Sequence, residues 1–178
     1  GNPKYIYTLT ESGLSEAERH ASFQIRYVEI DPYRINQQLL RHNLLAQEIT
    51  INSLLAGVID DYQSERMLSI QDKPGQKRVD TCWLKAAIKI GIEIELSKKW
   101  DRKLDEFVGG VIGAIENNIY NRFIIFSDSP AIISAYSDAI KPGAPLKIWK
   151  KNNKGVWAAE KIITVPDWLI NKVSFQLI

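Results

Sequence analysis

The sequence predicts an α/β fold, a mixed central β-sheet flanked by helices, on three observations. Apolar residues recur at helical spacing before residue 60 and again after residue 100. Between these stretches, three short β-favouring segments follow one another with small gaps. A wholly apolar run at residues 123–126 has the character of a buried parallel strand. The resulting order is α-β-β-β-α-β-α. With 178 residues, 45% hydrophobic and 25% charged, the chain has the length of one domain, and a domain of that size buries roughly 70% of its unfolded surface. No repeat, Ser/Gly-rich linker or low-complexity tract divides it, so a single domain over residues 1–178 is expected, with a core at about 32–140 and a basic C-terminal hairpin at about 146–165.

No stretch approaches the roughly 20 apolar residues of a spanning helix, and the N-terminus shows no leader pattern. A soluble, cytoplasmic protein without membrane association is therefore expected. The single cysteine, Cys82, excludes an internal disulfide framework, and with only His20 and His42 it cannot build an ordinary structural zinc site. Cys82 reads as a small buried hydrophobe and the histidines as surface residues. The formal charge of +2, from 23 basic and 21 acidic residues, is by itself too balanced to mark a nucleic-acid binder.

Residues 5–9 read as a short strand, and Ser15 with Glu18 has the spacing of a capping box opening a short helix. Residues 24–30 read as a weak strand. Asp31 and Pro32 supply an N-cap and first-turn proline for a longer helix, in which Ile35, Leu39, Leu40, Leu44, Leu45 and Ile49 recur at helical spacing and Gly57 is the stop. Residues 65–70, 78–85 and 88–97 read as three consecutive strands. Trp100, Leu104, Phe107, Val108, Val111, Ile112 and Ile115 form one apolar stripe of a second long helix. After the strand at 123–126, Ser129 and Pro130 open a helix running to about Ile140. The tail offers two strands around a turn at 152–155, then a short helix near 166–170.

The chemistry lies in the second and third strands. Alternate side chains of a strand point to opposite faces, so Ile88, Ile90, Ile92, Ile94 and Leu96 share one face, and Glu93 and Glu95 the other. An antiparallel hairpin turning at Ala86-Ala87 pairs Lys85 with Ile88 and, in the same register, Asp80 with Glu93. Ala-Ala is a poor two-residue turn, but a four-residue turn over 85–88 keeps that register. Cross-strand partners point to the same face, so three carboxylates converge. Like charges at about 4 Å repel by on the order of 4 kcal/mol at the effective dielectric of a protein surface, unless a cation neutralises them. Oxygen-only ligation suits Mg²⁺, with Mn²⁺ able to substitute, and such an ion activates water for phosphodiester hydrolysis. The alternative is an amphipathic strand with Glu93 and Glu95 on its solvent face. Against it, the strand is central in the inferred sheet, and no basic residue except Lys89 shares its face near the pair.

Val79-Asp80, the hairpin, and Glu93-Ile94-Glu95 together resemble the PD-(D/E)xK nuclease superfamily, over about residues 35–140 and in its α-β-β-β-α-β order. Val79 stands where that family has proline, and Glu95 where it has lysine. The run Ile92-Glu93-Ile94-Glu95-Leu96, followed by Lys98, Asp101, Arg102, Leu104 and Phe107, is similar to type II restriction endonucleases that cut around GATC cores and carry Glu or Gln at the lysine position. Plasmid replication-relaxation proteins carry a similar Glu-x-Glu-Leu-Ser-x-Lys signature. The resemblance implies a restriction-endonuclease-like core and a Mg²⁺-dependent DNA endonuclease. It implies Asp80 and Glu93 as metal ligands, Glu95 orienting or deprotonating the attacking water, and Lys98 contacting a phosphate within the catalytic set. It implies a further acidic ligand upstream, for which Glu65 is the candidate. A homodimer follows, since one site cuts one strand and a twofold protein matches a palindromic site. No organic cofactor is expected.

Between residues 141 and 161, six lysines stand against the single acid Glu160, a net +5 that leaves about −3 for the rest of the chain. Lys147, Lys150, Lys151 and Lys154, interleaved with Trp149 and Trp157, are expected to join Lys98 and Lys99 in contacting the DNA backbone. A lysine-protected edge hairpin is the alternative. Within the fold, a mobile-element replication, transposition or repair nuclease rivals restriction. From other classes come a non-catalytic DNA-binding module, suggested by Glu95 in the lysine's place, and a plain scaffold protein with a decorative acidic triplet.

Overall fold

The computed structural model describes residues 5, 7–20, 36, 39–69 and 77–178. The chain divides into two compact units, Gly1–Leu44 and Leu45–Ile178. In the first, α1 (Glu11–His20) begins before the expected capping box. Thr10 Oγ1 accepts from the Gly13 N–H at 3.3 Å, so Thr10 is the cap and Ser15 lies inside the helix. Residues 7–10 form no strand. The expected strand at 24–30 and the Asp31-Pro32 helix start lie outside the described residues. α2 (Leu40–Leu55) ends as the sequence predicts. Gly57 takes a left-handed φ of 66° and donates its N–H to the Leu54 carbonyl.

Along the second unit run β1 (Asp61–Ser64), α3 (Glu65–Ser69), β2 (Thr81–Lys85), β3 (Ile88–Ile94), α4 (Asp101–Glu116), β4 (Arg122–Ser127), α5 (Pro130–Ala139), β5 (Pro145–Lys151), β6 (Trp157–Thr164), a 3₁₀ turn (Asp167–Asn171) and β7 (Val173–Leu177). Five strands form one mixed sheet in the order β1-β2-β3-β4-β7, antiparallel through β3 and parallel from there on. The fold is α/β with helices flanking a mixed sheet. Trp83, Ile92, Ile94 and Phe126 on one face pack with Ala46, Ile49 and Leu54 of α2. On the other face, Cys82, Phe123, Ile125 and Val173 pack with Phe107, Val108 and Val111 of α4 and with Ile132 and Tyr136 of α5. The polar atoms inside the first layer pair off, the Trp83 indole N–H donating to Thr50 Oγ1 at 2.9 Å. Among the described residues, no helix is long and apolar enough to cross a membrane.

Two elements differ from expectation. The first strand lies earlier, at Asp61–Ser64, and Glu65 opens a short helix where a strand over 65–70 was expected. Its fifth strand, β7, follows the 3₁₀ turn and was not anticipated. The other elements predicted after residue 70 form, including a hairpin of β5 and β6, where Asn152 Oδ1 accepts from the Lys154 and Val156 N–H groups.

The hairpin of β2 and β3 has the expected register, with Lys85 opposite Ile88 and Thr81 opposite Ile92. Its two-residue turn forms despite its sequence because Asp60 holds it from outside. Asp60 accepts from the Ala86 N–H at 2.7 Å and from Lys85 Nζ at 2.8 Å. The Lys85 hydrogen bond holds the Asp60 carboxyl below its ordinary pKa. Ala86 itself sits at φ 50°, where its Cβ is disfavoured. Below the site, Gly91 lies flat under a ring: a Cβ there would stand 2.8 Å from Phe123 Cε1. Ala86→Gly should raise unfolding stability by about 0.5–1 kcal/mol, read as a higher urea midpoint at unchanged m-value.

Candidate active site

β3 passes from solvent into the core as it runs: Ile88 and Lys89 are exposed, and the strand is buried from Gly91 onward. Glu93 and Glu95 are therefore carried inside, 5% and 4% exposed. That excludes the solvent-face alternative, because both carboxylates lie on the side of the sheet covered by α4 and α5. The chain extends the ladder one step past β3, the Glu95 N–H donating to the Phe126 carbonyl at 2.8 Å. The register brings Asp80 beside Glu93. The Asp80 N–H donates to the Ile92 carbonyl at 3.0 Å, and its Oδ2 accepts from the Ile94 N–H at 2.7 Å.

Each buried glutamate meets a lysine from outside the strand. Lys77 Nζ pairs with Glu93 Oε1, and Lys99 Nζ with Glu95 Oε1. The two ammonium groups lie over the ring of Phe107, 4.9 and 5.0 Å from its centroid. This corrects the expectation that only Lys89 offers positive charge near the pair. Lys89 is exposed near the entry to β3, while Lys77 and Lys99 come from the segments that precede β2 and follow β3. Cations are needed there, since a charge left unpaired in the interior is heavily penalised.

Burial raises the Glu93 carboxyl from 4.5 to about 7. Lys77 opposes that shift, while the neighbouring Asp80 and Glu95 charges add to it. Asp80 and Glu95 are thus close enough for their charges to disfavour a charge on Glu93. The three acids offer oxygen only, the ligand type of hard divalent cations. Among the described residues, however, no three His, Cys, Asp or Glu side chains stand grouped around a common metal position. Glu93 and Glu95 are turned to their lysines, and Asp80 Oδ2 is engaged with a backbone amide.

Tyr136 of α5 completes the floor. It is fully buried, its ring meets Phe107 edge-on at 5.1 Å, and Lys99 Nζ lies 5.9 Å from its centroid. Burial, with Glu95 beside it, drives the phenol pKa upward.

Comparison with family models, with curated proteins and with solved structures finds no match.

The other expected site residues lie apart from this cluster or at its rim. Glu65 is exposed at the start of α3, and its backbone N–H donates to the Asp80 carbonyl at 3.1 Å. Only its main chain is placed against the site. Lys98 lies over the exposed Trp100 ring at 3.8 Å, so the lysine that meets the carboxylates is its neighbour Lys99. Cys82 is buried, its thiol pushed up to about 11 by desolvation, as suits an inert core residue. The basic hairpin docks on α4: Trp149 Nε1 donates to Asp105 Oδ2 at 2.7 Å, and Arg102 lies 4.3 Å from the Trp157 ring centroid. Trp149 is thereby spent on packing rather than left open for stacking. Lys147, Lys150, Lys151 and Lys154 are exposed on this hairpin, Lys150 pairing with Glu160 at 3.0 Å.

The sign of the Glu93 shift fixes a pH dependence. Its value in the folded chain lies above 4.5, so its contribution to stability is fully present below about pH 4.5 and is lost as the pH rises through about 7. Glu93→Gln, which has no charge to bury, should therefore gain on the wild type by on the order of 3 kcal/mol between pH 4.5 and 8. Urea denaturation of both proteins across that range measures the difference.

Proposed function

We propose that this chain is a Mg²⁺-dependent DNA endonuclease on a restriction-endonuclease-like core. The observation that carries this reading is the approach of Asp80 to two buried glutamates on an interior strand, in a mixed sheet whose first three strands, interrupted by the short α3 after β1, are followed by α4 and the parallel β4. A scaffold protein has no use for two carboxylates taken out of water on the covered face of a sheet, where apolar residues would be more stable. Fold order alone would leave function open.

The donor chemistry fits a hard divalent ion: Asp80 and Glu93 would hold it, both offering carboxylate oxygen beside a third acid, Glu95. Such an ion supplies Lewis-acid polarisation of a phosphodiester and a water of lowered pKa. Glu95, two residues along the same strand, orients the attacking water and accepts its proton. Lys99 brings to Glu95 the positive charge that the resembled family carries at the Glu95 position itself, and its ammonium is a ready partner for a phosphate oxygen. Exposed lysines on the β5–β6 hairpin, which packs on α4, would hold the DNA backbone. A homodimer would cut both strands of a twofold site. Discrete fragments from linear duplex would assign restriction, and selective nicking of branched or single-stranded DNA would assign repair or mobile-element work.

Purified protein incubated with supercoiled and linear duplex DNA should cleave with Mg²⁺ and not with EDTA. Asp80→Ala and Glu93→Ala should each lower the rate about a hundredfold or more, as loss of several kcal/mol of transition-state stabilisation requires. Metal-independent cleavage, or cleavage unchanged in both variants, contradicts the assignment. No cleavage and no carboxylate-dependent Mn²⁺ binding would favour the non-catalytic module.

The hairpin carries its own test. Replacing Lys147, Lys151 and Lys154 together by alanine should weaken DNA binding evenly across sequences and reduce the slope of log K against log salt by about 3. Fluorescence anisotropy at several salt concentrations measures it.

A further inference from the structure

The Tyr136 hydroxyl is the buried side-chain polar atom that lacks a hydrogen-bond partner among the described residues. It faces Glu95 and the backbone of Lys99, yet no hydrogen bond of good geometry joins them. A buried hydroxyl without a partner is disfavoured, and phenylalanine would fill nearly the same space without that penalty. What occupies the Glu95 carboxylate instead is the Lys99 ammonium. Lys99 is the member that can reach solvent: it is a long side chain about one-third exposed, whereas Glu95 and Tyr136 are buried, on β3's extension and on α5. If Lys99 turns outward, the Tyr136 O–H beside Glu95 is a donor that can take its place.

We propose that Tyr136 is a positioning residue for Glu95: its hydroxyl takes over the carboxylate when Lys99 leaves it for an anionic phosphate, and holds Glu95 in one orientation for the attacking water. The proposal rests on the nuclease reading for its purpose, but the exchange of partners is a property of these three side chains alone. Phe107 supports it from below. Both lysines lie over its ring and Tyr136 meets it edge-on, so the ammonium can withdraw along an aromatic floor while the phenol stays in place.

Two experiments decide the proposal. In the first, ¹³Cζ-tyrosine protein is examined by NMR, with the Tyr136 resonance assigned by its absence in Tyr136→Phe. In metal-free Lys99→Gln, which removes the ammonium, the resonance should move downfield, as for a phenol donating to a carboxylate. An unmoved resonance overturns the proposal. In the second, Tyr136→Phe should melt at the wild-type temperature or slightly above it, because the hydroxyl has no hydrogen-bond partner among the described residues. The same variant should lower kcat for DNA cleavage about tenfold, with KM for DNA unchanged. Wild-type kcat, or a lowered melting temperature marking a structural hydroxyl, overturns it. The two failures are separable: a wild type that cuts no DNA removes the nuclease reading, while a moved resonance in Lys99→Gln still establishes the contact between Tyr136 and Glu95.

Discussion

Two carboxylates on one interior strand, each needing a cation, set the terms for the rest of this structure. Glu93 and Glu95 follow Gly91 into the covered half of β3, where water cannot solvate them. Desolvating an ion costs several kcal/mol, and the attraction of a partner only partly restores it. The chain meets that cost by bringing Lys77 and Lys99 in from the segments on either side of the hairpin and by seating both over Phe107. Asp80 adds a third negative charge where two are already crowded. Replacing buried ion pairs of this kind by well-packed aliphatic side chains is often neutral or stabilising.

The hairpin that positions these groups is specified by contacts outside it. Asp60 holds the Ala86 turn from the neighbouring segment, and Phe123 presses against Gly91 from β4. Between them they fix the pairing, and a slip of one residue would send Glu93 and Glu95 to the opposite face, against Ala46 and Ile49 of α2. Asp80 then seals the strand end by accepting the Ile94 N–H, so the same carboxylate that enters the site also holds its register.

Much of this was legible in the sequence where periodicity and pairing arithmetic apply. Alternation along residues 88–97 separates the glutamates from the isoleucines, and the Lys85–Ile88 pairing alone places Asp80 beside Glu93. The apolar run at 123–126 announced a parallel strand, and Ser129 with Pro130 announced the helix after it. What stayed hidden depended on long-range partners. Lys77 is 16 residues from Glu93, beyond any local rule. Lys99 is four residues from Glu95, but the chain between them is neither helix nor strand, so that spacing carries no fixed geometry. Tyr136 had a weak signal, being four residues from the buried Ile132 on one face of α5, which takes its hydroxyl into the core. β7 had one as well, in the alternation of Val173, Phe175 and Leu177 with Ser174 and Gln176. Glu65 was misplaced because Tyr62 and Gln63 precede it in a strand too short and polar to advertise itself.

In the nuclease reading, a divalent cation would enter between Asp80 and Glu93, where the Lys77 ammonium now pairs with Glu93. Anomalous diffraction from crystals soaked in Mn²⁺ tests that most directly. The predicted result is a manganese peak between the Asp80 and Glu93 carboxylates, with the Lys77 ammonium displaced from Glu93. Full ion pairs at Glu93 and Glu95 with no peak beside Asp80, at Mn²⁺ concentrations that saturate ordinary carboxylate sites, would contradict it.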